Sequence, residues 1–184
     1  MKQKIKILLL IILLTNTINA QTNYNPTTIG EALKTLFRYY PTNFKSLYGN
    51  ERKEKWASFA SKLKIPNSVV NRIDIASSTD WPLFFMSVIP AGNDKEKAIA
   101  KQKEICNEVL DTKIIYQKKQ YNIVLKADES NLENEKLVCA YKLENAPPEF
   151  LEARIIVRLD DAVKKKYKYQ FTISMAYVES SYKY

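Results

Sequence analysis

The stretch that decides the fold is residues 167–178, which read YKYQFTISMAYV near the end of the chain. Its side chains alternate: one side is aromatic and aliphatic, and the other carries lysine, glutamine, threonine and serine. The apolar side comprises Tyr167, Tyr169, Phe171, Ile173, Met175 and Tyr177. Alternation with a period of two residues is typical of a strand with one face against a core. We therefore predict that this segment is a long strand of a half-buried sheet.

Six upstream segments also have the composition of strands. They are residues 56–65, 69–76, 81–89, 121–126, 137–143 and 153–159. A helix is the alternative for 56–65. Segment 81–89 is the most apolar, so we expect a central strand covered on both faces, with Pro82 at its start, where a missing N–H is tolerated. Residues 160–166 are expected to join the last two strands as a hairpin loop.

Two segments have the 3.6-residue period of a helix. The first starts at the sequence PTT (26–28) and ends before Pro41. The second follows a turn in which Asn93 or Asp94 caps the helix, and it runs to about Thr112. The predicted order is α-β-β-β-α-β-β-β-β. This order predicts an α+β fold, in which a mostly antiparallel sheet carries two main helices packed on one face.

The start of the chain has the organisation of a secretory signal peptide over residues 1–20. Three lysines and no acid precede an apolar run at 7–14, and a polar segment ends at Ala20. A membrane-spanning helix needs roughly 20 apolar residues, more than twice this run. We therefore expect cleavage after Ala20 and export to the periplasm or the extracellular space. Because no cysteine lies near the cut, we expect no lipid anchor.

The mature chain is then a single α+β domain of residues 21–184, with loose ends at about 21–25 and 179–184. Removal of the signal lowers the formal net charge from +9 to +6. A mildly basic balance favours solubility and anionic partners, but export argues against nucleic acid as a partner.

The two cysteines, Cys106 and Cys139, both lie on apolar faces. Cys106 follows the helical period of the second helix, and Cys139 shares a strand face with Leu137 and Leu143. A helix packed on the sheet would bring the two sulfurs together. Exported domains usually pair such cysteines, so we predict a Cys106–Cys139 disulfide, worth about 3–4 kcal/mol in the chain-entropy model. Two buried thiols are the alternative.

The layout resembles small exported proteins of uncharacterised function that are common in Bacteroidota. The matching pieces are FKSLYG (44–49), ASFASKLKIPNS (57–68), the helix at 95–110 that opens with KAIA, and the long last strand. The resemblance covers most of the mature chain. It implies an α+β fold in the periplasm, and it brings no catalytic residue and no activity.

Composition excludes several chemistries. The chain has no histidine, which removes Ser-His-Asp and Cys-His nucleophile systems and zinc sites that contain histidine. Its three glycines exclude glycine-rich phosphate loops. Carboxylates remain, but Asp160 and Asp161 have the position of turn formers. Acids between 128 and 135 lack the spacing of a calcium loop. We therefore expect no catalytic residue, no metal and no cofactor.

Two charged regions remain as candidate surfaces. The mixed-charge helix face of Lys97, Lys101, Glu104 and Glu108 is expected to be ordinary solvent surface. The predicted hairpin is strongly basic and interleaved with aromatic rings, so it is a candidate contact surface for anionic lipid, glycan or an acidic protein; a solvated hairpin tip is the alternative. The residues of this surface are Lys164, Lys165, Lys166, Tyr167, Lys168 and Tyr169.

Three functions are compatible with these patterns. The favoured hypothesis is an exported, non-enzymatic binding or accessory protein of the cell envelope, whose partner is another envelope or extracellular protein; an inhibitor or immunity-type protein is one form of it. A hydrolase that works through carboxylates alone is the second hypothesis. The third is a peripheral protein that binds anionic membrane or glycan surfaces through the basic hairpin.

Overall fold

The computed structural model describes residues 24–53, 57–75, 82–127, 130, 138–162 and 166–177. The predicted signal peptide and the end at 179–184 lie outside these residues. Within them the chain forms two α-helices and nine strands, so the predicted α+β class is confirmed. The helices are α1 (Ile29–Tyr39) and α2 (Lys95–Asp111). The strands are β1 (Tyr48–Arg52), β2 (Ser58–Ser61), β3 (Val70–Ile75), β4 (Pro82–Gly92), β5 (Lys113–Tyr116), β6 (Lys119–Leu125), β7 (Val138–Leu143), β8 (Ala153–Asp161) and β9 (Tyr169–Tyr177).

All nine strands belong to one antiparallel sheet of order β1-β2-β3-β4-β9-β8-β7-β6-β5. Strands β1 to β4 form one meander, and β5 to β9 form another. The two meanders meet in the middle, where β4 pairs with β9 from Phe84↔Ala176 to Ile89↔Phe171 and beyond. Strand β4 is therefore central, as predicted, and it begins at Pro82 as predicted.

Both helices begin at caps that satisfy their first N–H groups. The hydroxyl of Thr28 accepts from the N–H of Glu31, and the carboxylate of Asp94 accepts from the N–H of Lys97. The Glu31 carboxylate accepts in turn from the N–H and the hydroxyl of Thr27, and these bonds lower the pKa of Glu31. The predicted helix starts are thus confirmed, because short polar side chains at these positions replace the missing intrahelical acceptors.

The core lies between the helices and one face of the sheet. The alternation of β9 sets this face, since Phe171, Ile173 and Met175 are almost fully buried while Ser174 and Ala176 on the other side are half-buried. Residues Phe85, Ile155 and Val157 of the neighbouring strands lie on the same face, and they pack in one cluster with the apolar sides of α1 and α2. The predicted placement of both helices on one face follows from this cluster.

The structure differs from the expectations at three places. Strands β1 and β5 are additional edge strands. Tyr24, expected in a loose leader, is held instead: its backbone pairs with Leu63, and its hydroxyl lies 2.6 Å from that of Tyr39. Strand β4 is covered by helices on one face, whereas Phe84 and Met86 on its other face are only half-buried.

The cysteines meet as predicted, but the predicted disulfide is absent. Cys106 and Cys139 are both buried free thiols, and their sulfurs lie 2.7 Å apart. A disulfide requires a sulfur–sulfur distance of about 2.05 Å, so this contact is a hydrogen bond from the Cys106 thiol to the Cys139 sulfur. The apolar faces of the two segments thus correctly predicted that α2 packs on β7. The predicted disulfide bond between the two sulfurs is not formed.

Candidate functional site

The basic hairpin joins β8 to β9, and the structure describes part of it. Lys166 and Lys168 are exposed, while Lys164 and Lys165 lie outside the described residues. The N–H of Lys168 donates to the carbonyl of Gly92 and to the Oδ1 atom of Asn93. This side of the hairpin is therefore anchored to the loop before α2.

The two tyrosines of the predicted contact surface have different environments from its lysines. Tyr167 and Tyr169 are both half-buried, and Tyr169 packs against the core. Sequence reasoning grouped these rings with the lysines because they alternate along the chain. The structure instead assigns Tyr169 to the sheet, so the exposed part of this surface is chiefly its lysines.

Of the acidic residues considered in the sequence, Asp160 has structural partners, Asp161 is exposed at the end of β8, and the acids between 128 and 135 lie outside the described residues. Asp160 contacts the Arg158 guanidinium at 2.7 Å and accepts from the Thr172 hydroxyl at 3.0 Å. Acids 128, 129, 133 and 135 are among the residues that the structure does not describe. In the described part of the chain, no three acidic or cysteine side chains come together as a metal site would require.

A groove of about 500 Å³ lies between α1, α2 and the strands beneath them; we call it the helix groove. Apolar side chains form its floor, among them Ile89, Ile105 and Phe171. Its polar wall includes Lys101, Glu104 and Glu108, which all project from α2.

The charges of this wall are already paired within the protein. The ammonium of Lys101 lies 2.6 Å from the carboxylate of Glu104. The Oε1 atom of Glu108 accepts from the N–H of Gly30 at 3.0 Å, so it caps the start of α1. Sequence reasoning placed these side chains on ordinary solvent surface. It missed the groove because the partner of Glu108 lies 78 residues away in the chain.

The helix groove has an arrangement better suited to binding than to hydrolysis. Two-carboxylate hydrolases place an acid and a base on opposite sides of the bond that breaks. Glu104 and Glu108 lie one helical turn apart on the same wall. Both acids therefore approach a bound molecule from one side, which favours contact with a ligand over in-line attack on it.

The face of the sheet opposite the helices is a further candidate surface, and we call it the outer face. Strand pairing places its residues side by side on four adjacent strands. They are Arg72 and Asp74 of β3, Phe84, Met86 and Val88 of β4, Thr172, Ser174 and Ala176 of β9, and Ile156 and Arg158 of β8.

The middle of the outer face is apolar and its sides are charged. Phe84, Met86 and Ile156 are half-buried there, whereas Val88 and Thr172 beside them are buried. On one side Arg72 Nε lies 2.8 Å from the Asp74 carboxylate. On the other side lies the Arg158–Asp160 pair described above. An apolar centre with a charged rim has the composition of a protein contact surface.

Comparisons with protein families, with curated proteins and with solved structures find no match to this chain. Among the described residues, no helix has both the length and the apolar composition that crossing a bilayer requires.

Proposed function

We propose that this chain is an exported, non-enzymatic binding or accessory protein of the cell envelope, and that it meets another protein through the outer face of its sheet. The observation that carries the proposal is the apolar centre of Phe84, Met86 and Ile156, flanked by two Arg–Asp pairs. Helices cover the other face, so the two faces of the sheet have different roles.

The size of this surface favours a transient partner. The four strands of the outer face at about 4.8 Å spacing, each contributing about six residues of 3.4 Å, span about 19 by 20 Å. This footprint of about 380 Å² is below the ~800 Å² per partner of a standard interface and fits a weak or regulated contact. An inhibitor or accessory subunit that binds reversibly has an interface of this kind.

Export rests on the sequence of residues 1–20 and on the resemblance to small exported Bacteroidota proteins. If the proposal is correct, protein recovered from the envelope of its host begins at Gln21. N-terminal sequencing or intact mass measurement checks this. Recovery of the protein with Met1 and the apolar run intact would contradict export by a cleaved signal.

The outer face is tested by photo-crosslinking in the native host. A crosslinking amino acid at Met86 is expected to capture one protein partner. The same amino acid at Lys103, an exposed position of α2, is expected to capture none. Equal labelling from both positions would contradict the assignment of the outer face.

A matched pair of variants separates binding from folding. Ile156→Glu places a charge in the apolar centre and is expected to abolish the complex. Ile115→Glu makes the same change on the edge strand β5, where the side chain is 74 % exposed, and is expected to leave the complex intact. Circular dichroism confirms that both variants fold. Survival of the complex with a folded Ile156→Glu variant would overturn the proposal.

A further inference from the structure

A second groove of about 320 Å³ lies between α2 and the strands β6 and β7; we call it the thiol groove. Leu110 and Leu125 form apolar walls and are about one-third exposed, at 36 % and 37 %. Cys106 and Cys139 both line the groove, and they keep an exposed fraction of 8 % and 6 %. Such a volume lies at the lower end of small-ligand sites, which hold about 300–1,000 Å³.

The two sulfurs are chemically different. The Cys106 thiol donates to the Cys139 sulfur, and this bond lowers the pKa of Cys139 to about 7. The same bond, together with burial, raises the pKa of Cys106. Within the pair, Cys139 therefore loses its proton more readily than Cys106, which is the arrangement of a nucleophile with a neighbouring second thiol.

Tyr141 lines the thiol groove beside the two cysteines. Its hydroxyl donates to the carbonyl oxygen of Cys106 at 3.3 Å. Burial raises the pKa of Tyr141, so the ring keeps its proton and remains a hydrogen-bond donor. The tyrosine thus fixes α2 against β7 at the level of the two sulfurs.

We propose that the thiol groove is a thiol–disulfide exchange site that takes a small anionic disulfide and reacts with it first at Cys139. The Cys139 thiolate attacks one sulfur of the disulfide R–S–S–R, forms a mixed disulfide and releases one RS⁻, which takes a proton from water. Cys106 then loses its proton, attacks the Cys139 sulfur and releases the second thiol. The protein dithiol is oxidised by two electrons, and the small disulfide is reduced to two thiols.

The charge at the rim selects the class of disulfide. Lys103 lines the groove and is exposed, and the described lining contains no acid. A carboxylate-bearing disulfide is therefore attracted to the entrance, whereas a cationic one is repelled. This reactivity is independent of the outer face, because it uses the opposite side of the sheet.

The proposal is tested with the fully reduced protein and oxidised glutathione. Samples are quenched in acid, alkylated under denaturing conditions and weighed intact. We expect the two alkylatable thiols to disappear together, at a rate that rises with pH through about 7 as the Cys139 thiolate forms. Retention of both thiols, under conditions in which the denatured protein reacts, would overturn the proposal.

Three variants assign the roles. Cys106→Ser is expected to accumulate the mixed disulfide on Cys139, and Cys139→Ser to react at least about tenfold more slowly at pH 7, because Cys106 remains protonated. Lys103→Glu is expected to slow the reaction with oxidised glutathione severalfold but not with uncharged hydroxyethyl disulfide. A faster reaction of the Cys139→Ser variant, or equal slowing of both disulfides by Lys103→Glu, would contradict the assigned roles. Circular dichroism of each variant separates loss of reactivity from loss of fold.

Discussion

At the scale of single residues, the carboxylate of Asp74 is a buried charge of the sheet that requires polar partners. It is 4 % exposed, it accepts from the Ser58 hydroxyl at 2.7 Å, and it pairs with Arg72 at 2.8 Å. A buried charge is tolerated only when such partners replace its water. Ser58 is itself fully buried, so the hydroxyl and the carboxylate depend on one another.

Replacement of Asp74 by alanine is therefore expected to lower the free energy of unfolding by about 2–3 kcal/mol, since it removes the acceptor of a buried hydroxyl and the partner of an arginine. Urea unfolding monitored by circular dichroism measures this change. Glu104→Ala is the control, because it removes an exposed ion pair and is expected to leave the midpoint nearly unchanged. Equal effects of the two substitutions would show that the buried carboxylate is not stabilised in this way.

At the scale of elements, the two helices touch at a point that admits only glycine. A Cβ atom at Gly30 of α1 would lie 2.7 Å from the Oγ1 atom of Thr112, which follows the end of α2. Thr112 is buried and its hydroxyl donates to the carbonyl of Glu108. Gly30 also donates its N–H to Glu108, so one close approach holds the start of α1 against the end of α2.

Gly30→Ala is expected to destabilise the protein by about 1–3 kcal/mol through this clash. Thr112→Ala removes the clashing oxygen, so the double variant is expected to lose less stability than the two single variants together. Thr112→Val keeps a branched side chain at the same place and is expected to give no such rescue. A double-mutant cycle from chemical denaturation measures the coupling, and strict additivity in the alanine pair would refute the contact.

Elements with a strong period were predictable, and short edge strands were not. The helix starts at Thr28 and Asp94 and the alternation of β9 depend only on neighbouring residues, so the sequence contains them. Strand β5 has four residues directly after α2, and β1 reads YGNER without alternation. Both segments become strands because an adjacent strand of the sheet offers a free hydrogen-bonding edge. The local sequence does not predict the presence of that edge.

At the scale of the whole molecule, strand order decides what the outer face contains. The sequence of β9 alone predicts that the outer face is polar, because Gln170, Thr172 and Ser174 all lie on that side of the strand. The apolar centre comes from Met86 and Ile156, which flank Ser174 on the two neighbouring strands. Since β4 and β9 lie far apart in the chain, the candidate surface could not be predicted from alternation alone. The Glu108 cap and the helix groove escape prediction for the same reason.

The same order predicts a gradient of local stability across the sheet. Strands β4, β8 and β9 are paired on both sides and covered by α2, so their amide hydrogens are expected to exchange slowest. The edge strands β1 and β5 are expected to exchange fastest among the strands. Hydrogen–deuterium exchange with mass spectrometry measures this gradient. Protection of β5 equal to that of β9 would contradict it and would indicate that a further strand covers that edge.

The pairing of β4 with β9 joins two meanders that come from two consecutive halves of the chain. The first half contains α1 and the meander β1 to β4, and the second contains α2 and the meander β5 to β9. The turn between β4 and α2, at Asn93, is exposed and separates them. The protein is therefore a candidate for fragment complementation, because two separately produced halves carry complementary strand edges. If each half is fused to a different protein, reassembly of the sheet would report the association of the two fused proteins.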